Sequence, residues 1–210
     1  MIKVLIADDH AIVRKGLRQI LADTPDIIVE GEATHGVEVL ERLDERPWDV
    51  LVLDISMPGR SGLEVLKDIK KLKPRMPVLV LSMHAEEQFA TRTLKAGASG
   101  YLNKESAPEE LVKAIRKVHA GGKYVSAAQS ERMVGELTGD VSKAPHERLS
   151  DREFEILCLI ASGRTPTQIA KQLSLSVKTV STYRSRLLEK MGLSTNAQIT
   201  HYAIKNGLVD

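Results

Sequence analysis

The sequence predicts two domains of different classes: an α/β domain built on a parallel five-stranded sheet, then a smaller all-α domain of four helices. Two observations across the 210 residues predict this division. Up to about Gly122, short apolar runs alternate with longer amphipathic segments, which is the rhythm of strands joined by helical crossovers. From Ser150 onward the strand rhythm is absent and helix-start signals recur instead.

Short apolar runs predict the strands of the first domain. They lie at 4–7, 27–29, 50–53, 78–81 and 100–102. Between them, apolar residues recur at helical spacing, which is typical of helices that pack on one face. Parallel strands need such crossovers, so we expect helices on both faces of the sheet. In open sheets of this kind the ligand lies outside the carboxyl ends of the strands.

Capping signals predict the helices of the second domain. Ser150-Asp151-Arg152-Glu153 and Thr165-Pro166-Thr167-Gln168 are capping boxes, and the second has Pro at the first helical position. Ser176 can cap a third helix, and Gly163 and Gly192 follow helix ends. Residues 138–145 have the composition of a flexible linker, and a short helix is expected near 127–137.

Composition and charge fit a cytoplasmic protein whose second domain meets a polyanion. Residues 146–210 carry nine Lys and Arg against six Asp and Glu, a net charge of +3, whereas residues 1–145 carry a net charge of −1. No apolar run approaches the length of a membrane span, and the apolar start is too short for a signal peptide. The single cysteine, Cys158, lies in an apolar run and is expected to be a small core residue.

Polar side chains follow the strands of the predicted sheet at the points where the strands end. Asp8 and Asp9 follow the first strand, and Asp54 ends the third. Ser82 ends the fourth strand, and Lys104 follows the fifth. We expect these side chains to converge on one edge of the sheet. Clustered carboxylates suit Mg²⁺, and with a lysine and a hydroxyl they indicate phosphoryl transfer to a carboxylate.

Motifs along residues 1–121 resemble the receiver domain of bacterial response regulators. They are DDH at 8–10, DISMPG at 54–59, LSMH at 81–84, GASGY at 97–101 and the single Lys104. The resemblance implies a doubly wound, flavodoxin-like sheet that is phosphorylated by a cognate sensor histidine kinase. It makes Asp54 the phosphoacceptor and places Mg²⁺ on Asp9, Asp54 and the backbone carbonyl of Ser56, with Asp8 acting mainly through water.

The same resemblance assigns the residues that respond to the phosphate. Lys104 would pair with a phosphoryl oxygen, Ser82 would sense the phosphate, and the rotamer of Tyr101 would follow Ser82. Ser56 and His84, each two positions beyond a key residue, are expected to flank the attacking water and to tune hydrolysis.

Two positions beside this site carry expectations of their own. Glu105 follows Lys104 where the family often has proline, so a trans peptide is expected there. His10 opens the first helix and is expected to be a local hydrogen-bonding partner rather than a ligand of Mg²⁺, which prefers oxygen.

The segment 165–191 has the pattern of a helix, a turn and a second, longer helix. Lys178, Ser181, Thr182 and Ser185 share the outward face of that second helix. Small hydroxyls flanked by the cations Arg184 and Arg186 suit the major groove of double-stranded DNA. Charge alone would favour an ordinary amphipathic helix on a small bundle.

A second resemblance decides between these readings of residues 148–208. The motifs LSDRE at 149–153, IA at 169–170, LSVKTV at 175–180 and LEKM at 188–191 look like the LuxR-type four-helix DNA-binding domain. Together with a receiver this is the NarL/FixJ organisation. The resemblance adds Thr179 to the residues that are expected to contact DNA. It also implies that the last helix supports pairing of two chains through Ile199, Tyr202 and Ala203.

The expected domains are therefore a receiver at 1–121, a linker with a short helix at 122–147 and a helix-turn-helix domain at 148–210. The leading hypothesis is a transcriptional response regulator, switched by phosphorylation of Asp54 that promotes dimerisation or releases the DNA-binding domain. A phosphorylation-independent DNA-binding regulator and a Mg²⁺-dependent phosphotransferase of the aspartyl-phosphate type are the alternatives. The phosphotransferases commonly carry a second Asp where this chain has Ser56, so the chain is not expected to be a turnover enzyme.

Overall fold

The computed structural model describes residues 1–59, 61–82, 86–104, 108–126 and 144–209. The chain divides into two compact units, Met1–Ser130 and Glu131–Asp210. The short helix predicted near 127–137 and most of the predicted linker lie outside the described residues. No helix in the described part of the chain is long and apolar enough to cross a membrane.

The first unit is a five-stranded parallel sheet with the strand order β2-β1-β3-β4-β5. Its strands are β1 (Ile2–Ala7), β2 (Ile27–Ala33), β3 (Val50–Asp54), β4 (Val78–Ser82) and β5 (Gly100–Asn103). Its helices are α1 (Ala11–Ala22), α2 (Gly36–Glu45), α3 (Gly62–Leu72), α4 (Glu86–Lys95) and α5 (Pro108–His119). The predicted doubly wound fold is confirmed, and the strand order reverses between β1 and β3.

The central strands explain why the apolar runs in the sequence are continuous. Every residue of β3 and β4 is buried, because helices cover both faces of the sheet. The edge strand β2 extends four residues beyond the predicted 27–29, to Ala33. Its half-buried Glu32 accepts hydrogen bonds from Arg14 at 2.9 Å and Arg18 at 2.8 Å. The second half of β2 contains polar residues, so a prediction based on apolar runs did not include it.

The opposite edge of the sheet is covered by the chain that leaves α5. Tyr124 N donates to Ser99 O at 2.9 Å, and Tyr101 N donates to Tyr124 O at 3.2 Å. A side chain at Gly100 would meet Tyr124 Cβ at 2.8 Å, so this close approach requires glycine. The first residues of the predicted linker therefore pair with β5 rather than leaving the sheet at once.

We predict opposite effects on stability for two glycine-to-alanine substitutions in the first unit. A methyl group at Gly62 would lie 2.5 Å from Ile55 Cα and 2.6 Å from Asp54 O, both backbone atoms, so Gly62→Ala should destabilise the unit by about 1–3 kcal/mol. Gly16 lies inside α1 with nothing within 4 Å of such a methyl group. Gly16→Ala should therefore stabilise by about 0.5–1 kcal/mol through helix propensity. Denaturant unfolding of both variants checks the pair, and equal effects would contradict the packing argument.

The second unit contains four described α-helices, preceded by a 3₁₀ turn at Pro145–Arg148. They are α6 (Asp151–Ala161), α7 (Pro166–Gln172), α8 (Val177–Met191) and α9 (Asn196–Lys205). The predicted capping boxes at Ser150 and Thr165 are both present, and Ser176 caps α8. Gly163 and Gly192 adopt positive φ values of 78° and 65°, which glycine tolerates best.

The core of the second unit is built from the inward faces of its helices. Phe154, Leu157, Ile169 and Leu187 are all completely buried. Cys158 is also buried, as predicted for a small core residue. The helix α8 thus packs along one stripe and leaves the opposite side accessible.

Candidate functional site

Four of the predicted strand-end residues meet at the carboxyl edge of the sheet. Asp8 follows β1 and Asp54 ends β3; the two strands are neighbours and both carboxylates are 1% exposed. Lys104 Nζ lies 2.8 Å from Asp54 Oδ2 and 2.7 Å from Asp8 Oδ2. Ser82 ends β4 and is completely buried, and its carbonyl accepts a hydrogen bond from Lys104 N at 2.9 Å. The topology alone brings these side chains together.

The cluster carries more negative charge than its lysine can neutralise. Burial raises the pKa of Asp54; the Lys104 ammonium opposes that shift, and the Asp8 carboxylate adds to it. Burial disfavours the charge on Lys104, but the carboxylates of Asp54 and Asp8 raise its pKa overall. Asp9 adds a third carboxylate, with 28% of its side chain exposed. One ammonium among three carboxylates leaves the cluster suited to a further cation.

The oxygen atoms of the cluster fit a divalent cation. Single ligand atoms from Asp8, Asp9, His10 and Asp54 all lie within 4.8 Å of one another. Among the described residues, the buried atoms Asp9 Oδ1 and Asp8 Oδ2 accept no hydrogen bond, although Asp8 Oδ2 forms the ion pair with Lys104 and Asp9 Oδ1 lies 3.0 Å from His10 Nδ1. Buried carboxylate oxygens without donors are costly unless a cation meets them. Carboxylates are the ligands that Mg²⁺ prefers.

Backbone donors fix how two of the carboxylates point. Ser56 N donates to Asp54 Oδ1 at 3.0 Å, and His10 N donates to Asp8 Oδ1 at 2.8 Å. Each acidic side chain is thereby bonded to a residue two positions further along its own loop. The loops orient the carboxylates before any ligand arrives.

Of the remaining residues predicted for this site, the structure describes some and leaves others outside the described ranges. Ser56 is half-buried in the loop after β3, and Tyr101 is a 1% exposed residue of β5. His84 lies outside the described residues, as does Glu105 of the Lys104–Glu105 peptide. His10 Nδ1 lies 3.0 Å from Asp9 Oδ1 and 3.3 Å from Asp8 Oδ1, which agrees with the local partner expected at this position.

A second candidate surface is the outward face of α8. It exposes Lys178, Ser181, Thr182, Ser185 and Arg186. The hydroxyl groups of Ser181, Thr182 and Ser185 donate to carbonyls one turn earlier in the helix, at 3.0–3.1 Å. Their oxygens keep lone pairs that can accept hydrogen bonds from base edges. The face is therefore small, hydroxyl-rich and bordered by cations.

Two predicted members of this surface are already engaged within the domain. Thr179 is half-buried; its backbone N donates to Ser176 Oγ at 3.0 Å. Arg184 Nε donates to Asn196 Oδ1 at 2.6 Å, which directs the guanidinium toward the start of α9. Val177, which the sequence analysis passed over, is 45% exposed at the first position of α8. An apolar side chain there can contact a thymine methyl group.

The predicted pairing residues of α9 need a correction. Ile199 and Ala203 are completely buried in the core of their own domain, so the prediction that they contact a second chain is wrong. The hydroxyl of Tyr202 lies 2.8 Å from His146 Nδ1 within the same unit. The apolar stripe of α9 serves the core, and the exposed face carries instead Ala197, His201 and Ile204.

Comparison with known proteins matches both units separately. Residues 4–116 match the response regulator receiver domain, and residues 147–203 match the bacterial regulatory proteins of the luxR family. The chain is 37% identical to the response regulator UvrY of Escherichia coli K12, over 99% of this chain and 96% of UvrY. It is 37% identical to the response regulator GacA of Pseudomonas aeruginosa, over 100% of this chain and 99% of GacA.

Solved structures of similar proteins cover both units. RcsB, a response regulator of Salmonella typhimurium, is 30% identical with a TM-score of 0.70 over 96% of each chain. RcsB bound to the promoter rprA in the presence of the phosphomimetic BeF₃⁻ is 30% identical with a TM-score of 0.66, over 96% of this chain and 97% of RcsB. The chain thus belongs to the NarL/FixJ family of two-component response regulators, which join a receiver domain to a LuxR-type DNA-binding domain.

Proposed function

We propose that this response regulator is a transcription factor switched by Mg²⁺-dependent phosphorylation of Asp54. The observation that carries the proposal is the buried Asp54 carboxylate, held 2.8 Å from Lys104 Nζ in a cluster with Asp8 and Asp9. A carboxylate at the carboxyl edge of the sheet, with a cation site beside it, is equipped to accept a phosphoryl group.

In this proposal a carboxylate oxygen of Asp54 attacks the phosphorus of a donor, and the bond from phosphorus to the donor's leaving group breaks. Asp9, Asp54 and the carbonyl of Ser56 would hold Mg²⁺ directly, and Asp8 would act through water. The ion would neutralise charge that otherwise repels the incoming phosphoryl group. The natural donor is proposed to be a cognate sensor histidine kinase.

The product of this reaction gives the neighbouring residues a new anion to bind. Lys104, now paired with Asp54 and Asp8, would move to a phosphoryl oxygen, and the hydroxyl of Ser82 would hydrogen-bond to the phosphate. The ends of β4 and β5 are joined by the bond from Lys104 N to Ser82 O. A shift there can reach Tyr101, which is buried in β5.

The two competing functions are less well supported. A phosphotransferase of the aspartyl-phosphate type commonly has an acid/base Asp two positions after its nucleophile, and Ser56 occupies that position. A regulator that ignored phosphorylation would not need the buried Asp54–Lys104 pair, because burying charges is costly.

The second domain is proposed to read double-stranded DNA with α8, in the major groove. Ser181, Thr182 and Ser185 would face base edges, with Lys178 and Arg186 on the phosphates. Two chains would pair on a two-fold-symmetric site through the exposed face of α9, where Ile204 is 56% exposed. Arg184 is bonded to Asn196, so we assign it a supporting role near the backbone.

We predict that base readers and phosphate contacts on α8 differ in their effects. Replacing Thr182 or Ser185 with alanine should change which base pairs are preferred, at about 1–3 kcal/mol per lost contact. Replacing Lys178 or Arg186 with alanine should weaken binding similarly on all sequences and lower the salt slope by about one unit. Binding to a library of operator variants, at two salt concentrations, separates these outcomes. Unchanged base preference after both hydroxyl substitutions would move the reading face elsewhere.

We predict that Ser56 tunes the lifetime of the phosphorylated state. Its side chain is half-buried beside Asp54, where a larger group would restrict the approach of water. Ser56→Lys should therefore change the dephosphorylation rate severalfold while Asp54 is still labelled. Decay of acid-labile phosphate after donor removal measures the rate. The same dephosphorylation rate in the variant and the wild type would mean that water does not approach Asp54 past Ser56. His84 was predicted to flank the same water.

The experiment that tests the whole function is selection of bound genomic fragments by the full-length protein, with and without acetyl phosphate. A distinct set of fragments recovered only with the donor supports the proposal. Identical sets, with Asp54 shown to be phosphorylated, would favour the phosphorylation-independent alternative.

A further inference from the structure

One arginine of α1 reaches back to the loop that carries two of the three carboxylates. Arg14 Nη1 donates a hydrogen bond to the backbone carbonyl of Asp8 at 2.8 Å. Arg14 Nε donates to Glu32 Oε2, on the edge strand β2, at 2.9 Å. The arginine side chain is only 14% exposed, so it occupies a fixed place between the loop and the strand. Its guanidinium thus ties the loop after β1 to the neighbouring strand.

The carbonyl that Arg14 holds belongs to the peptide group between Asp8 and Asp9. A peptide group is planar, so the direction of its carbonyl also fixes where the Cα atom of the next residue lies. The Asp8 carboxylate has two further anchors, His10 N at 2.8 Å and Lys104 Nζ at 2.7 Å. Among the described residues, the Asp9 carboxylate has only the exposed His10 ring, at 3.0 Å. The orientation of this peptide group therefore matters most for Asp9.

A second arginine of the same helix shares one contact of Arg14 but not the other. Arg18 Nη1 donates to Glu32 Oε1 at 2.8 Å, so both arginines pair with the same carboxylate. The side chain of Arg18 is 58% exposed, and within the described ranges it makes no hydrogen bond to the loop after β1. The ion pair with Glu32 is therefore formed twice, and the bond to the Asp8 carbonyl is the contact that distinguishes Arg14.

We infer that Arg14 is a positioning residue: it holds the Asp8–Asp9 peptide group so that the Asp9 carboxylate stays within reach of Asp54 before an ion arrives. The inference rests on the proposed function, in which these carboxylates hold Mg²⁺ for phosphorylation. Arg14 itself would touch neither the ion nor the phosphoryl group. Loss of a residue that orients metal ligands typically weakens metal binding by about 10–100-fold. Loss of Arg14 should therefore weaken Mg²⁺ binding and leave the chemistry at Asp54 unchanged.

The first measurement needs neither metal nor phosphoryl donor. Arg14→Met removes the hydrogen-bond donors and keeps most of the apolar stem, and Arg18→Met removes the same charge from the same helix as the matched control. In the metal-free full-length protein, the amide hydrogen of His10, which is bonded to Asp8 Oδ1, should exchange with solvent severalfold faster in Arg14→Met than in Arg18→Met or the wild type. Equal exchange in all three proteins would show that Arg14 does not order this loop, and would overturn the inference.

Magnesium titrations then separate positioning from chemistry. Calorimetry should show about 10–100-fold weaker Mg²⁺ binding to Arg14→Met than to Arg18→Met. With acetyl phosphate, the Mg²⁺ concentration that gives half-maximal labelling should rise by the same factor, whereas the labelling rate at saturating Mg²⁺ should match that of the control. Equal Mg²⁺ affinity in the two variants, or a lower rate that saturating Mg²⁺ does not restore, overturns the positioning role.

A second pair of variants decides the outcome if Arg14→Met does not fold. Arg14→Lys keeps the charge but lacks the planar fork that joins the Asp8 carbonyl to Glu32, so it should bind Mg²⁺ more weakly than Arg18→Lys. Wild-type affinity in Arg14→Lys would mean that charge alone is sufficient, and would overturn the inference. A wild type that is not labelled in the presence of Mg²⁺ would instead refute the proposed function, and the exchange measurement would still test Arg14.

Discussion

Asp54→Asn is expected to abolish phosphorylation by acetyl phosphate, whereas the wild type incorporates one phosphate per chain. The amide oxygen of asparagine is a poor nucleophile, and the other two carboxylates of the cluster follow β1 rather than ending β3. Removing divalent metal from the wild type should have the same effect, because three carboxylates beside one ammonium repel the donor. Phosphate-affinity electrophoresis and intact-mass measurement detect the product.

Two controls separate lost chemistry from lost folding. Asparagine keeps an oxygen that can accept the hydrogen bond from Ser56 N, which Asp54 Oδ1 accepts at 3.0 Å, so Asp54→Asn should retain the fold. Asp49 lies just before the other end of β3, where its carboxylate accepts a hydrogen bond from Lys3 N at 2.8 Å. Asp49→Asn should be labelled like the wild type. Wild-type labelling of a folded Asp54→Asn would place the acceptor on another residue.

The sequence was sufficient to predict the cluster because strand ends are easy to locate. In a parallel sheet with buried strands, the first polar residue after each apolar run marks the same edge. Asp8, Asp54 and Ser82 follow this rule, and Lys104 lies one position further, after Asn103. This rule uses neither side-chain conformations nor distances. It therefore held although the predicted β2 was too short.

Orientation was harder to predict than position. His10 was assigned to local hydrogen bonding because Mg²⁺ prefers oxygen, but its position alone did not show that its ring turns toward Asp8 and Asp9 rather than caps the helix. Ile199 and Ala203 were chosen as pairing contacts because the family resemblance assigns pairing to this helix, but α9 uses these side chains to pack in its own domain. The bond from Tyr101 N to Tyr124 O lies at the start of the segment predicted as a linker and has no sequence pattern of its own.

Phosphorylation of Asp54 is expected to raise the affinity of the full-length protein for paired half-sites by about 10²–10⁴-fold. The gain requires no new base contact, because pairing of two receivers raises the local concentration of the second DNA-binding domain. The chain after α5 pairs with β5 through Tyr124, so a phosphate-dependent shift of β5 can reach the start of the linker as well as Tyr101. We therefore expect the mass in solution and the DNA affinity to change together.

The decisive measurement is sedimentation and DNA affinity of one sample before and after phosphorylation. Two substitutions test the mechanism, one at the phosphorylation site and one on the exposed face of α9. Asp54→Asn should leave both quantities at the unphosphorylated level. Ile204→Glu should keep phosphorylation and the change in mass but lose the part of the affinity gain that pairing through α9 supplies, because it places a charge on the exposed face of that helix. Moving the half-sites apart by half a helical turn should remove the same gain in affinity from the wild type, since pairing of the two DNA-binding domains fixes the spacing of the half-sites. If neither mass nor affinity moves while Asp54 is demonstrably phosphorylated, then dimerisation does not couple the two domains.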